Sequence, residues 1–157
     1  MSELRTNRIV PRDGLPSGAS GGIIQVVQTI KTDGFATTST SFVDVTGYSA
    51  SITPTSASNK VLVRVVACTG NGQANSDNQI RVLRGSTVIT TNDTTVRSDS
   101  ISENHSYVIE ILDSPSTTSA TTYKVQGKVE NNEIFFNRRN NLDSGGESSI
   151  TLMEFSG

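Results

Sequence analysis

Aromatic residues and cysteine are scarce in this chain of 157 residues, which has no tryptophan, three tyrosines, five phenylalanines and one cysteine. The core must therefore be built from Val, Ile and Leu. The single Cys68 excludes an intrachain disulfide, which fits synthesis in a reducing cytosol. A core this lean is marginal for an isolated chain, so we expect an oligomer whose subunits share buried surface.

Groups that carry out chemistry are equally few. The one histidine, His105, has no catalytic partner at a recognisable spacing and is expected to be a polar loop residue. A zinc site needs several His and Cys ligands, and Asp93, Asp99 and Glu103 lack the spacing and the glycine of a calcium loop. A depolymerase would need a pair of carboxylates that no spacing indicates. We therefore expect no enzymatic activity, no cofactor and no metal.

Charge of one sign is also lacking, because 13 basic and 15 acidic residues are spread along the chain without blocks. Nucleic acid is therefore not expected as a partner. No apolar run reaches the length of a membrane span, and the first residues contain no signal-peptide core, so membrane insertion is not expected either.

The longest apolar run, residues 60–68, is the segment around which the rest of the chain is organised. Val61, Val63, Val65 and Ala67 share one parity, and Leu62 and Val66 share the other. β-branched residues dominate, which favours a strand over a helix. Because both faces are largely apolar, the run predicts a central strand covered on both sides.

Shorter segments with period-two alternation surround this run and predict about eight or nine strands and no helix. They are residues 23–30, 41–52 with a bulge at Gly47, 79–84, 87–91, 106–112, 122–130, 133–137 and 149–155. The pattern is typical of an all-β antiparallel sandwich, most of all a jelly roll. An immunoglobulin-like sandwich is the alternative, but the Trp and the Cys pair of that fold are missing.

The first 22 residues differ from the rest and predict a separate segment. Leu4, Ile9 and Val10 are scattered among charged residues, and a linker of small residues follows at 16–22. The segment is either a disordered tail or an extended arm that orders on a partner, with these three residues as its anchors. The predicted organisation is an arm at 1–22 and a β-sandwich domain at 23–157.

Three stretches resemble small virion proteins of tailed bacteriophages, especially those of marine cyanophages. They are residues 2–11 with 21–26, residues 37–63, and the terminal residues 150–155. The resemblance implies a structural part of the particle, such as a tail fibre, a tail-associated appendage or a capsid fibre or knob. It also implies an attachment segment, a distal β-rich domain that is commonly trimeric, and synthesis in the host cytoplasm. Because the chain has no coiled coil, collagen-like repeat or β-helix repeat, a short knob, adaptor or decoration is favoured over a full-length fibre.

Two functions therefore stay open. In the first, the protein is a virion structural protein, a homotrimer that contacts other proteins of the tail or capsid. In the second, it is a receptor-binding tip that recognises a host surface glycan through its loops. The candidate loop residues are Asn71, Asn75, Asp77, Pro115, Arg138, Arg139 and Asn140. These loops hold no aromatic residue to stack on a sugar ring, which favours the first function.

Overall fold

The computed structural model describes residues 22–101, 103–138 and 145–157. These residues form eleven strands. The strands are β1 (Ile23–Lys31), β2 (Phe35–Thr37), β3 (Val43–Ile52), β4 (Lys60–Asn71), β5 (Asn78–Arg84), β6 (Thr87–Val88), β7 (Thr94–Val96), β8 (His105–Asp113), β9 (Thr121–Lys128), β10 (Ile134–Phe136) and β11 (Ser148–Phe155). The described part of the chain contains no helix that could cross a membrane.

The strands form two antiparallel sheets. In the first, which we call sheet A, the order is β1-β11-β4-β8, and the short β10 and β2 continue beside the end of β4. In the second, sheet B, the order is β3-β9-β5, and β6 and β7 pair with β5. The pairs are nested along the chain: β1 with β11, β3 with β9, β4 with β8 and β5 with β7. This rolled-up series of antiparallel pairs is a jelly roll, and it confirms the predicted fold class.

The alternation in the sequence also predicted local features correctly. On β9, Tyr123 and Val125 are buried, whereas Lys124 and Gln126 face outward. On β3, the pairing with β9 shifts between Asp44 and Ser49, and Gly47 lies in this interval with a φ of 75°. A positive φ is accessible to glycine at little cost, so Gly47 forms the predicted irregularity.

β4 is the central strand of sheet A, as predicted, but only one of its faces is covered along its whole length. Val61, Val63 and Val65 are fully buried between the two sheets. On the opposite face, Leu62 is half-buried and Arg64 is exposed. The prediction that both faces are covered is therefore wrong for the first half of the strand. An apolar pattern shows that a face avoids water, but not that the same chain covers it.

The second half of β4 is covered on its outer face by other segments. Cys68 is buried, and a Cβ at Gly146 would collide with its sulfur. A Cβ at Gly70 would collide with the ring of Phe135. Burial raises the pKa of the Cys68 thiol, so this residue is a small apolar part of the interior.

Buried and partly buried polar side chains connect the two sheets. The hydroxyl of Tyr48 on β3 donates to the carbonyl of Val66 on β4 at 2.7 Å. The hydroxyl of Tyr123 on β9 donates to the Asp113 carboxylate on β8 at 2.7 Å, and Arg84 on β5 donates to both oxygens of that carboxylate at 2.8 Å. These bonds fix the position of sheet A over sheet B at two points.

Candidate interaction surface

Large apolar side chains that face water are concentrated on sheet A. Of the eight such residues exposed in the described part of the chain, six belong to β1 and β8 and are 44% to 57% exposed. These six are Ile23, Ile24, Val26, Ile30, Val108 and Leu112. Single exposed apolar residues are ordinary on protein surfaces, but a contiguous patch marks a surface that binds something.

The strand register makes the patch contiguous, because it aligns outward side chains of β1, β11, β4 and β8 in three rows. The upper row is Val26, Met153, Leu62 and Leu112. The middle row is Gln28, Thr151, Arg64 and Glu110. The lower row is Ile30, Ser149, Val66 and Val108. The outer face of sheet A thus alternates between an apolar row, a polar row and a largely apolar row.

The middle row is satisfied within the chain. Gln28 donates to the hydroxyl of Thr151 at 2.9 Å, and Arg64 Nε lies 2.9 Å from Glu110 Oε1. The side chains of Arg64 and Glu110 are 47% and 54% exposed, so their ion pair contributes little to stability, roughly 1 kcal/mol or less. Its main consequence is that the three rows carry no net charge.

A shallow groove of about 550 Å³ lies at the upper end of this face. Lys60, Leu62, Leu112 and Phe155 line it, together with the last two residues of the chain. Ile23 pairs with Phe155, so β1 starts beside this groove. The groove has the volume and the apolar side chains to take a side chain from a partner.

The outer face of sheet B has the opposite character. Lys124 Nζ lies 2.7 Å from Asp44, and Gln126 donates to the same carboxylate at 2.7 Å. The hydrogen bond from Lys124, followed by that from Gln126, lowers the pKa of Asp44. The guanidinium of Arg81 lies 3.8 Å from the ring centre of Phe42. This charged network is compatible with water, so the two faces of the sandwich are chemically distinct.

A buried carboxylate, Glu154, supports the upper end of sheet A from the inner side. It accepts hydrogen bonds from the Thr55 amide at 2.7 Å, from the Thr55 hydroxyl at 2.8 Å, from Asn59 at 2.6 Å, and from Gln25. Burial alone raises the pKa of Glu154, but these hydrogen bonds outweigh burial and lower the pKa to about 2. The carboxylate therefore joins β1, β11 and the loop before β4 in its charged form.

Asn71, predicted as an exposed loop residue that contacts a receptor, is fully buried as the last residue of β4. Its amide nitrogen donates to the carbonyl of Ser76 at 2.9 Å, and its amide oxygen accepts from Asn78 at 3.1 Å. The prediction that Asn71 is available to a partner is therefore wrong. Its side chain holds the β4–β5 connection in place.

The other predicted loop residues lie at two ends of the sandwich. Asn75 and Asp77 are exposed and both accept from Arg97, at 3.2 and 2.8 Å. Arg138 donates at 2.9 Å to Glu133, which belongs to the same end of the molecule.

Pro115, by contrast, follows β8 at the end where Asp113 pairs with Val61, the opposite end of β4 from Asn71. The predicted loops therefore cannot all belong to one binding tip. The remaining predicted site residues, Leu4, Ile9, Val10, Arg139 and Asn140, lie outside the described residues.

His105 begins β8 and is exposed, with the carboxylate of Glu103 at 3.5 Å. Within residues 22–101, 103–138 and 145–157, no three or more His, Cys, Asp or Glu side chains are grouped so that they could hold a metal ion. The interaction surface therefore remains the main candidate site in the described part of the chain.

The sequence matches no protein-family model and no curated protein. Solved structures do match the fold. One is a structure of the Gt strain of infectious bursal disease virus, with a TM-score of 0.52, 10% sequence identity and coverage of 98% of this chain and 43% of the other. Another is the VP2 subviral particle of the same virus, with a TM-score of 0.50, 12% identity and coverage of 98% and 38%.

The chain thus spans less than half the length of these viral capsid proteins. At such low identity the likeness establishes a common fold, the jelly-roll sandwich, and not a common activity.

Proposed function

We propose that this protein is a structural component of a virus particle and acts by assembly. The observation that carries the proposal is the outer face of sheet A, where large apolar side chains are exposed in contiguous rows. Domains that function as soluble monomers rarely expose a contiguous apolar surface of this kind. The similarity of the fold to viral capsid proteins supports the same function.

The resemblance of the sequence to proteins of tailed phages extends this proposal. The chain would be a short knob, adaptor or decoration on the tail or capsid of a bacteriophage, made in the host cytoplasm. Residues 1–22 would attach it to the particle, with Leu4, Ile9 and Val10 as the anchors, and the β-sandwich domain would point outward as a homotrimer. This proposed role requires no catalytic group.

The test is to locate the protein in purified particles. We expect mass spectrometry to find it in gradient-purified virions, and antibodies against the β-sandwich domain to label one defined place on intact particles by immunogold microscopy. Pre-immune antibodies are the control for labelling. A protein that is abundant in infected lysate but absent from purified virions would overturn the proposal.

A receptor-binding tip is the second candidate, and one observation favours it. Asn75, Asp77 and Arg97 place amide, carboxylate and guanidinium groups together at one exposed end, beside a depression of about 280 Å³ that Lys128 and Glu130 help to line. Such groups hydrogen-bond sugar hydroxyls. Binding of the full chain to a glycan array, lost in Asp77→Ala, would support this function, and an array without signal would count against it.

A further inference from the structure

We propose that copies of this chain pack against one another through the outer face of sheet A, around an axis parallel to the strands of that sheet. The inference rests on the proposed function, in which the protein acts by assembly, and it adds the surface, its occupant and the direction of packing. The occupant of the exposed apolar face is thus a second copy of this chain.

The direction follows from the three rows. Rotation about an axis parallel to the strands moves a residue around the axis without shifting it along the strand direction. The upper row of one copy therefore meets the upper row of its neighbour, and the same holds for the middle and lower rows. Apolar side chains meet apolar ones, and polar side chains meet polar ones. Because each row keeps its character across the four strands, a pair and a ring of three both satisfy this match.

The charges on the face suit a second copy better than other partners. Arg64 and Glu110 occupy the same row, so each can pair with its counterpart on the neighbour, and burial leaves neither charge alone. A lipid surface would take the charges of Arg64 and Glu110 out of water and offer them no partner beyond each other. A strongly charged partner needs a surface of opposite net charge, and these rows carry no net charge. A surface with the same three rows meets all of these requirements, and a second copy has it.

The size of the face is sufficient for a specific contact. Four strands spaced about 4.8 Å apart, with about seven residues of roughly 3.3 Å each, present a flat area on the order of 400 Å². Because side chains protrude from this plane, the accessible area is larger than the flat area. It approaches the roughly 600 Å² per partner that small specific interfaces bury. The groove beside Phe155 can take an apolar side chain of the neighbour and increase this area further.

The experiment uses the full chain with Val108→Asp or Leu112→Asp, at residues that are 54% and 57% exposed, so that the core is not touched. We expect light scattering after size exclusion to report an oligomer for the wild type and a monomer for both variants, a loss of at least about tenfold in association constant. Val88→Asp, at a residue that is 40% exposed on sheet B, is the matched control and should keep the oligomer. Circular dichroism should show the same β-rich spectrum for all of them.

A charge exchange tests whether the contact is between copies. Arg64→Glu leaves only carboxylates in the charged positions of the middle row, and Glu110→Arg leaves only guanidinium groups. We expect each variant alone to dissociate and an equimolar mixture to form mixed oligomers, because each supplies the charge that the other lacks. A merely intramolecular ion pair would give no rescue on mixing.

Each remaining outcome decides between the inference and the proposed function. A wild type that is monomeric at all concentrations, or oligomers that survive Val108→Asp and Leu112→Asp, would overturn the inference. In that case the protein could still be found in virions, and the proposed function would stand. Conversely, dissociation by these variants together with absence from virions would support the interface and overturn the virion role.

Discussion

Glu154 connects separate segments of the fold through the hydrogen bonds that its carboxylate accepts. Its side chain is fully buried, yet it is held as an anion by neutral donors from β1 and from the loop before β4. Because its pKa in the folded state, about 2, lies below the ordinary value of 4.5, its ionisation stabilises the fold above pH 4.5. This contribution, on the order of 3 kcal/mol, is lost as the pH falls from 4.5 towards 2.

We therefore expect Glu154→Gln to lower the free energy of unfolding at pH 7 by about 1–3 kcal/mol, because the amide leaves some of the donors without an acceptor. The difference between wild type and variant should shrink between pH 4.5 and pH 2. Urea unfolding at fixed protein concentration over this pH range measures both effects. Glu147→Gln, at an exposed position, is the control and should change little. A wild-type stability that stays level down to pH 3 would contradict the role given to Glu154.

At the scale of strands, the sequence predicted well whatever depends on alternation within one segment. The inward residues of β9 and the irregularity at Gly47 are examples, since both are local consequences of side-chain parity and backbone freedom. The position of Asn71 could not be predicted in this way. Its burial is tolerable because Ser76 and Asn78, across a turn, supply the partners of its amide group.

The outer face of sheet A departs from the prediction for a different reason. Apolar residues on both faces of β4 predict that both faces are covered, but the first half of its outer face is not. β1 has the same property, with Val27 packed against the core and Val26 exposed on the outer face. Strands with apolar residues on both faces, in a chain with few core residues, are therefore the sequence feature that indicates an interface. Alternation indicates which faces avoid water, but not what covers them.

Neighbouring residues of β4 should separate core from interface. We expect Val63→Asp to abolish folding, because an unpaired carboxylate at this fully buried position costs several kcal/mol, comparable to the stability of a whole domain. Leu62→Asp, one residue earlier on the half-buried outer face, should fold and lose only the oligomer. Soluble yield, thermal melting and light scattering distinguish the two. A soluble Val63→Asp with an unchanged melting temperature would refute the assignment of this face to the core.

At the scale of the whole molecule, the sandwich presents different chemistry on its two sides. Sheet B carries a charged network towards water, and sheet A carries apolar rows. β1 starts at the upper end of sheet A, next to the groove and to the segments that Glu154 joins. In the proposed arrangement, the outer face of sheet A joins copies to one another, and the proposed attachment segment at residues 1–22 binds the particle.

Deletion of residues 2–20 tests this separation. Leu4, Ile9 and Val10 can bury only a small apolar area, so a single segment should attach weakly. Several segments on one oligomer act at high effective concentration and raise the overall affinity by a large factor without new contacts. We therefore expect the truncated protein to show the same oligomeric state as the wild type by light scattering. It should be lost from particles when it replaces the full chain during infection.

Replacing Leu4, Ile9 and Val10 by Ser in the full-length chain should have the same effect on incorporation. Replacing Ser2, Thr6 and Asn7 by Ala is the control and should leave incorporation unchanged. A truncated protein that is monomeric would move the contacts between copies from sheet A to the N-terminal segment, and one that is incorporated normally would remove the attachment role from that segment.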